Sequence, residues 1–386
     1  MIAIIHGKLI TVTQGIIENG TLLIEDGKIT AIGTEIEVPS EATVIDAAGQ
    51  WVTPGLIDAH SHLSGLNEPA WMPSVMDANE ITSPVTAQVR MLDAFNPFDI
   101  AIAKVRNAGF TTCCTLPGSA NVIGGTGFSF KLKNKPTVQE MMIPGTEVMK
   151  MALGENPKRC YGSDKKMPMT RMGTGAVLRE TLFNAREYAQ QLDEAQADPA
   201  KKVKRDFRLE PLVPVVRGQM KCRIHCHQAN DIVTAIRIAE EFGLQYSIEH
   251  CTEGYKILDL LREKNVTAVV GPLLMGPAKF EIWGCRQDTP AVMEKAGINF
   301  CLTADGASET VWLPTHVGIA MARGLSFETA MQAVTIRPAA LLGLQDRIGS
   351  LEVGKDADIA IFDGMPFENL TRCVATLIDG QIEYQA

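Results

Sequence analysis

The chain has 386 residues, 46% of them apolar and 21% charged, with a formal net charge of −9. That length exceeds the usual single domain, so it implies a large barrel or two domains with ample material for a core. The acidic balance repels phosphate backbones and argues against nucleic acid as a partner. No run approaches the roughly 18 uninterrupted apolar residues needed to cross a bilayer, which argues against a membrane partner.

The opening stretch, MIAIIHGKLITV, reads as a strand and not as a signal peptide. Nine scattered cysteines with no CxxC pair read as reduced thiols of a cytoplasmic protein, without a structural zinc knuckle. Short β-type runs over 2–5, 8–12, 20–24 and 28–32 follow one another, with Asn19-Gly20 and Asp26-Gly27 as tight turns. The last 40 or so residues have the same texture: runs over 358–362, 374–378 and 381–384, with a turn at Asp379-Gly380. Neither end is large enough to bury a core alone. Their pairing predicts a composite β-sandwich domain of residues 1–53 and 346–386 around a domain of residues 54–345.

In that middle part, short apolar runs alternate with helical ones. A helix over 99–108 with Gly109 as cap precedes a strand over 111–116. The glycine-rich Ile123-Gly124-Gly125-Thr126-Gly127 lacks a phosphate-loop pattern and reads as a tight loop after a strand, where a substrate contact is expected. Residues 194–204 read as a polar helical connection, and Lys201, Lys202, Lys204 and Arg205, diluted by Asp206 and Glu210, as its solvated face. A strand over 224–226 leads to a helix over 231–242, with Ile232, Ala235, Ile236 and Ala239 at helical spacing and Gly243 closing it. Strands over 245–248, 266–270 and 299–303 alternate with helices near 255–264 and 291–296. This βαβα rhythm is that of an α/β fold with a parallel sheet, and about eight repeats fit a closed (β/α)8 barrel. Rhythm alone leaves an open doubly wound sheet standing.

The histidines carry the chemistry. Of seven, five fall at or just beyond the ends of three predicted strands: His60 and His62, His225 and His227, and His250. Strand alternation puts Asp58, His60 and His62 on one face, so both imidazoles reach one ion, and nitrogen ligands suit zinc and related divalent metals. Asp305 closes a fourth apolar strand. Each cluster alone is ordinary, since histidines at a strand end are commonly just hydrogen-bonded polar groups. Together they occupy the end of the barrel where active sites of this fold form. A fifth element holds Lys150 in an apolar strand and Glu155 at its junction with the following loop. An inward lysine can form a bridging carbamate and a rim glutamate can ligate directly. The plainer reading is a paired buried lysine and a solvated glutamate.

The run Val52-Thr53-Pro54-Gly55-Leu56-Ile57-Asp58-Ala59-His60-Ser61-His62 resembles the first barrel strand of the amidohydrolase superfamily. The resemblance extends to Thr335-Ile336-Arg337-Pro338-Ala339-Ala340-Leu341-Leu342-Gly343 and to the run from Ile348 to Asp358, where the chain leaves the barrel. Within the superfamily the chain looks similar to imidazolonepropionase-like and prolidase-like members. The resemblance implies a divalent metal cofactor, zinc foremost, at one or two ions per chain. His60, His62, His225, His250 and Asp305 match the family's ligands. Lys150 and Glu155 both stay open for the strand-four position, and His227 becomes a second-layer or substrate group.

The implied reaction is hydrolysis of a carbon–nitrogen bond in an amide, cyclic amide or dipeptide by metal-activated hydroxide. Asp305 serves as base and then acid, and His250 or His227 steadies the oxyanion. Asn121, Gly124 and Gly125 are candidate substrate contacts. Arg159, Arg171 and Arg217 are candidate carboxylate grips, though each also reads as a surface or structural residue. A small-molecule substrate is the expected partner, and the resemblance is compatible with a homo-oligomer. The rival expectations are a one-metal deaminase of a nucleobase-like heterocycle and a non-catalytic scaffold.

Overall fold

The computed structural model describes residues 1–68, 76–198, 200–276 and 278–386. At the N-terminal end, β-branched and aliphatic residues form β1 (Ile2–Ile10), β2 (Ile16–Glu25), β3 (Lys28–Gly33), β4 (Thr43–Asp46) and β5 (Trp51–Pro54). The central strands are β6 (Leu56–Ser61), β7 (Phe110–Thr115), β8 (Ile123–Lys131), β9 (Val148–Ala152), β10 (Cys222–Cys226), β11 (Tyr246–His250), β12 (Ala268–Val270) and β13 (Phe300–Leu302). The C-terminal end adds β14 (Ile359–Phe362), β15 (Cys373–Ile378) and β16 (Gln381–Gln385).

The two chain ends meet, and their hydrogen bonding joins them in one eight-stranded sheet. Its order is β16-β15-β14-β5-β1-β2-β3, with β4 branching onto β1. Ile4, Leu22, Ile24, Val52, Ile359 and Leu377, contributed by both ends, bury one shared core. The predicted runs over 2–5 and 8–12 are a single strand. It is bulged where His6 takes φ 53° and Gly7 opposes Gly20. Asn19-Gly20 is accordingly an irregularity inside β2 and not a turn: a Cβ on Gly20 would lie 2.5 Å from Leu9. Asp26-Gly27 and Asp379-Gly380 do turn their hairpins, all four residues at positive φ.

The central strands form a second sheet in sequence order from β6 to β13. It nearly closes, because the Thr303 hydroxyl donates to His60 O at 2.7 Å and the His62 amide to Gly306 O at 2.8 Å. Seven strands run parallel, but β8 is antiparallel to both β7 and β9. The residues between β7 and β8, 116–122, are too few for the crossover of about a dozen that a parallel pair requires. The glycine-rich run expected as a loop is the start of this strand. Glycine is needed there for close approach: a Cβ on Gly125 would lie 2.4 Å from Val89 O, and one on Gly127 the same distance from Thr115 O. The long helix Arg171–Ala197 ends before Lys201, so that basic stretch is not a helix face.

Where expected, helix Ile100–Asn107 is capped by the Asp99 carboxylate, which accepts from the Ala101 amide, and helix Ala229–Phe242 ends on left-handed Gly243. Among the described residues no helix is long and apolar enough to cross a membrane.

The two sheets are joined by a buried charge cluster. Lys131, on β8, places its ammonium 2.8 Å from Asp356, 3.0 Å from Asp358 and against Asp379, while Lys28 reaches Asp356 at 2.5 Å. Burial alone would raise the Asp356 carboxyl, but Lys131, Lys28 and Arg347 hold it at about 2. A carboxyl lowered on folding stabilises the native state above its unfolded value near 3.9, and that contribution is lost as pH falls through about 2. The shift corresponds to about 2 kcal/mol. Denaturant midpoints at pH 5 and near pH 2 should fall further for the native sequence than for Asp356→Asn; equal falls would remove this account.

Candidate metal centre

The strand ends converge on a buried set of imidazoles. His60 is the fifth residue of β6, and His62 follows its last; His225 lies on β10 with His227 just beyond; His250 ends β11; Asp305 follows β13. All but His62 and Asp305 are buried. Alternation would send Glu249 and His250 to opposite faces. His250 takes φ 68° and Asp305 φ 51°, a conformation non-glycine residues rarely adopt. With it, both Glu249 and His250 reach His60: Glu249 Oε2 lies 2.6 Å from His60 Nδ1, and the two imidazole rings are 4.8 Å apart.

These residues form two groups of three, in each of which one donor atom per residue lies within 4.8 Å of the others: His60, His62 and Asp305, and His225, His227 and His250. The groups meet where His250 Nδ1 lies 3.7 Å from Asp305 Oδ2. The chemistry of the donor set fits a divalent cation. His60 Nδ1 faces the Glu249 carboxylate at 2.6 Å and His62 Nδ1 faces Leu116 O at 2.7 Å. Neither oxygen can donate, so each Nδ1 carries the proton and each Nε2 keeps a free electron pair. Those pairs point at Asp305 Oδ1, at 3.4 and 3.5 Å. Acceptors facing an ionised carboxylate across such a gap suit a cation held between them. Likewise His250 Nδ1 donates to Gly271 O at 2.9 Å, and His227 Nδ1 contacts the Thr252 hydroxyl at 2.7 Å. His225 Nδ1 is buried without a hydrogen-bond partner among the described residues.

Electrostatics keep four of the imidazoles, His62, His225, His227 and His250, in their ligand form. Burial lowers His62, lowers His225 and His227 well below the usual histidine range, and lowers His250 to about 4. Burial alone would raise Asp305, but His250, His60 and His62 hold it well below the usual carboxylate range. Burial also lowers Lys150, to about 8.

Lys150, fully buried on β9, sets its Nζ 3.2 Å from His60 Nε2. Glu155 stands apart at the start of helix Glu155–Gly162. Its amide donates to Glu281 Oε2 at 2.8 Å, and its carboxylate accepts from the Glu281 amide at 3.4 Å. Asn121 is occupied within the protein: its amide nitrogen donates to Glu80 O and Thr86 Oγ1 at 2.7 and 2.6 Å, and its oxygen accepts from Tyr161 at 2.6 Å. Gly124 faces Lys150, where a Cβ would lie 3.8 Å from Lys150 Cγ. Arg159 is exposed. Arg171 is held by Asp231 at 2.8 Å and Arg217 by Asp193, so neither is free for a substrate.

Sequence reasoning missed two groups of residues. Arg223 and Glu249, both fully buried, form a two-bond ion pair at 2.7 and 2.8 Å beneath the histidines, and Glu249 then holds His60. The signal was present, because charged residues inside apolar strands are rarely buried unless paired. Glu281, in the loop after β12, lies 3.8 Å from His225 Nε2 and 3.7 Å from His227 Nε2, with Lys279 at 2.6 Å. Its loop has no periodicity to reveal it.

Residues 51–383 match the model of the amidohydrolase family. The chain belongs to the amidohydrolase family. Members are metal-dependent, which accords with the two donor groups. The solved structure of an amidohydrolase from Thermotoga maritima is similar over the full length of both chains, at 38% identity and a TM-score of 0.95. An imidazolonepropionase of Geobacillus kaustophilus is 28% identical over 90% of this chain and 85% of its own length. The amidohydrolase tasK of Hapsidospora irregularis is 28% identical over 95% of this chain, which spans 40% of that protein's length.

Proposed function

We propose that this amidohydrolase hydrolyses a carbon–nitrogen bond of an amide, cyclic amide or dipeptide, with Asp305 as base and acid. The observation that carries the reading is the convergence of two three-donor groups on one carboxylate. The similarity to an imidazolonepropionase supports the same class of bond. His60, His62 and Asp305 would hold one divalent ion, and His225, His227 and His250 a second. When bound, such an ion lowers the pKa of water towards about 7 and polarises a carbonyl.

The chain's own groups do the rest. Asp305 takes a proton from the attacking water and returns it to the leaving nitrogen. Glu249, through His60 Nδ1, fixes that ring's tautomer and direction. Lys150 is the strand-four group whose side chain reaches the histidines. Its amine would add to carbon dioxide, losing a proton, to give a carbamate that supplies a further oxygen donor.

The test is elemental analysis of protein prepared with zinc and bicarbonate, followed by chelation. Two ions per chain, loss of amide hydrolysis on chelation and its return with zinc are expected. One ion, with ammonia released from an aminated heterocycle, would transfer the reading to a deaminase. No ion in a folded chain would end both.

A further inference from the structure

A cavity of about 380 Å³ opens directly onto Asp305. Its volume lies within the range of small-molecule sites, which starts at about 300 Å³. Pro272, Leu274 and Met275, from the loop after β12, line it together with Trp312. Leu274 is 44% exposed, Met275 36% and Trp312 61%. A single exposed apolar side chain means little, but three large ones gathered around a proposed catalytic carboxylate mark a binding surface.

The side-chain charges that line this cavity are acidic. Among the described residues its charged lining residues are Asp305 and the exposed Glu309, with no lysine or arginine. The His316 ring is already engaged, its Nδ1 accepting the Leu273 amide at 3.4 Å. Elsewhere around the centre, the cations among the described residues are committed. Lys279 lies on Glu281 at 2.6 Å and Asn156 at 3.1 Å, Arg223 lies on Glu249 at 2.7 Å, and Lys150 lies on His60 at 3.2 Å. A carboxylate in the cavity would lose its water beside Glu309, and its counter-charge would be the divalent ion that Asp305 would help hold, which would draw it off the apolar wall and away from the position next to the scissile bond.

Resting on the hydrolase reading above, we infer that this cavity is a specificity subsite for an apolar, aromatic-sized substituent next to the scissile bond, and that it excludes a substituent bearing a carboxylate. Leu274, Met275 and Trp312 enclose the group, and Glu309 rejects the anion.

The test uses the metal-loaded full chain and four amides that differ only in the acyl substituent: methyl, benzyl, isobutyl and carboxyethyl. The benzyl amide should exceed the carboxyethyl amide at least about 100-fold in kcat/KM. Trp312→Ala should raise KM for the benzyl amide about tenfold more than KM for the methyl amide. Glu309→Lys should improve the carboxyethyl amide about tenfold. Binding of the same amides is followed separately by quenching of tryptophan fluorescence, with Trp312→Phe as control. Met275→Glu, a second wall variant, should impair the benzyl amide as Trp312→Ala does. Hydrolysis of all four amides without discrimination would overturn the subsite and leave the hydrolase reading intact. Tight binding of the benzyl but not the carboxyethyl amide, with no hydrolysis, would do the reverse. Preference for the carboxyethyl amide would overturn the subsite outright.

Discussion

Asp305→Asn is expected to lower kcat by about 10²- to 10⁴-fold, the range a positioned acid–base group supplies. Asparagine keeps the shape and one oxygen donor but cannot take up a proton at neutral pH. The side chain is well placed for both roles: Oδ1 lies 3.4 and 3.5 Å from His60 and His62, and Oδ2 3.7 Å from His250. Its strained backbone is fixed in part by the Thr303 hydroxyl, which accepts the Asp305 amide at 3.0 Å. Metal analysis of the variant separates the two roles. Bound metal with turnover lost places Asp305 in proton transfer, whereas bound metal with near-normal turnover would remove it from the reaction.

Arg223→Met should produce the largest loss of stability. Breaking a buried ion pair from one side costs about 3–5 kcal/mol, because the remaining charge is left without its partner in a low-dielectric interior. Here that charge is Glu249. Burial alone would raise its carboxyl, and Arg223 and His60 together hold it well below the usual carboxylate range. Arg223 also donates to Ala59 O at 2.7 Å, so the loss extends to β6 just before His60. Because Glu249 orients His60, metal affinity should fall as well, by about 10- to 100-fold for loss of such a partner. Denaturant midpoint and zinc titration measure the two effects. A variant with an unchanged midpoint would show that His60 and Ser247, 2.5 Å from Glu249, satisfy the carboxylate unaided.

The histidine pairs were legible because strand alternation and metal-ligand chemistry impose the same spacing, as in His60-Ser61-His62 and His225-Cys226-His227. The helix Ala229–Phe242 and its Gly243 stop were legible from helical spacing and the left-handed cap. The direction of β8 was not, since glycines that admit a neighbouring backbone look like loop residues until that neighbour is known. The closeness of Glu281 to His225 and His227 was hidden for a related reason: it depends on a fold-back between the loops after β9 and β12 that no local pattern encodes. Alternation also misplaces Glu249 relative to His250, because the left-handed turn at His250 breaks the two-residue period at the functional position.

The terminal sheet imposes an order on synthesis. β5 lies between β1 and β14, so the first five strands emerge from the ribosome with the far edge of β5 unpaired. That edge waits while some 300 residues, including the whole metal centre, are translated, since Val52 pairs with Ile361. β14 covers it, with β15 and β16 beyond. An unpaired edge is a template for pairing with another chain. The interval before β14 arrives is therefore when a nascent chain is most exposed to a neighbour on the same message, and a ribosome stalled before residue 359 leaves that edge permanently open.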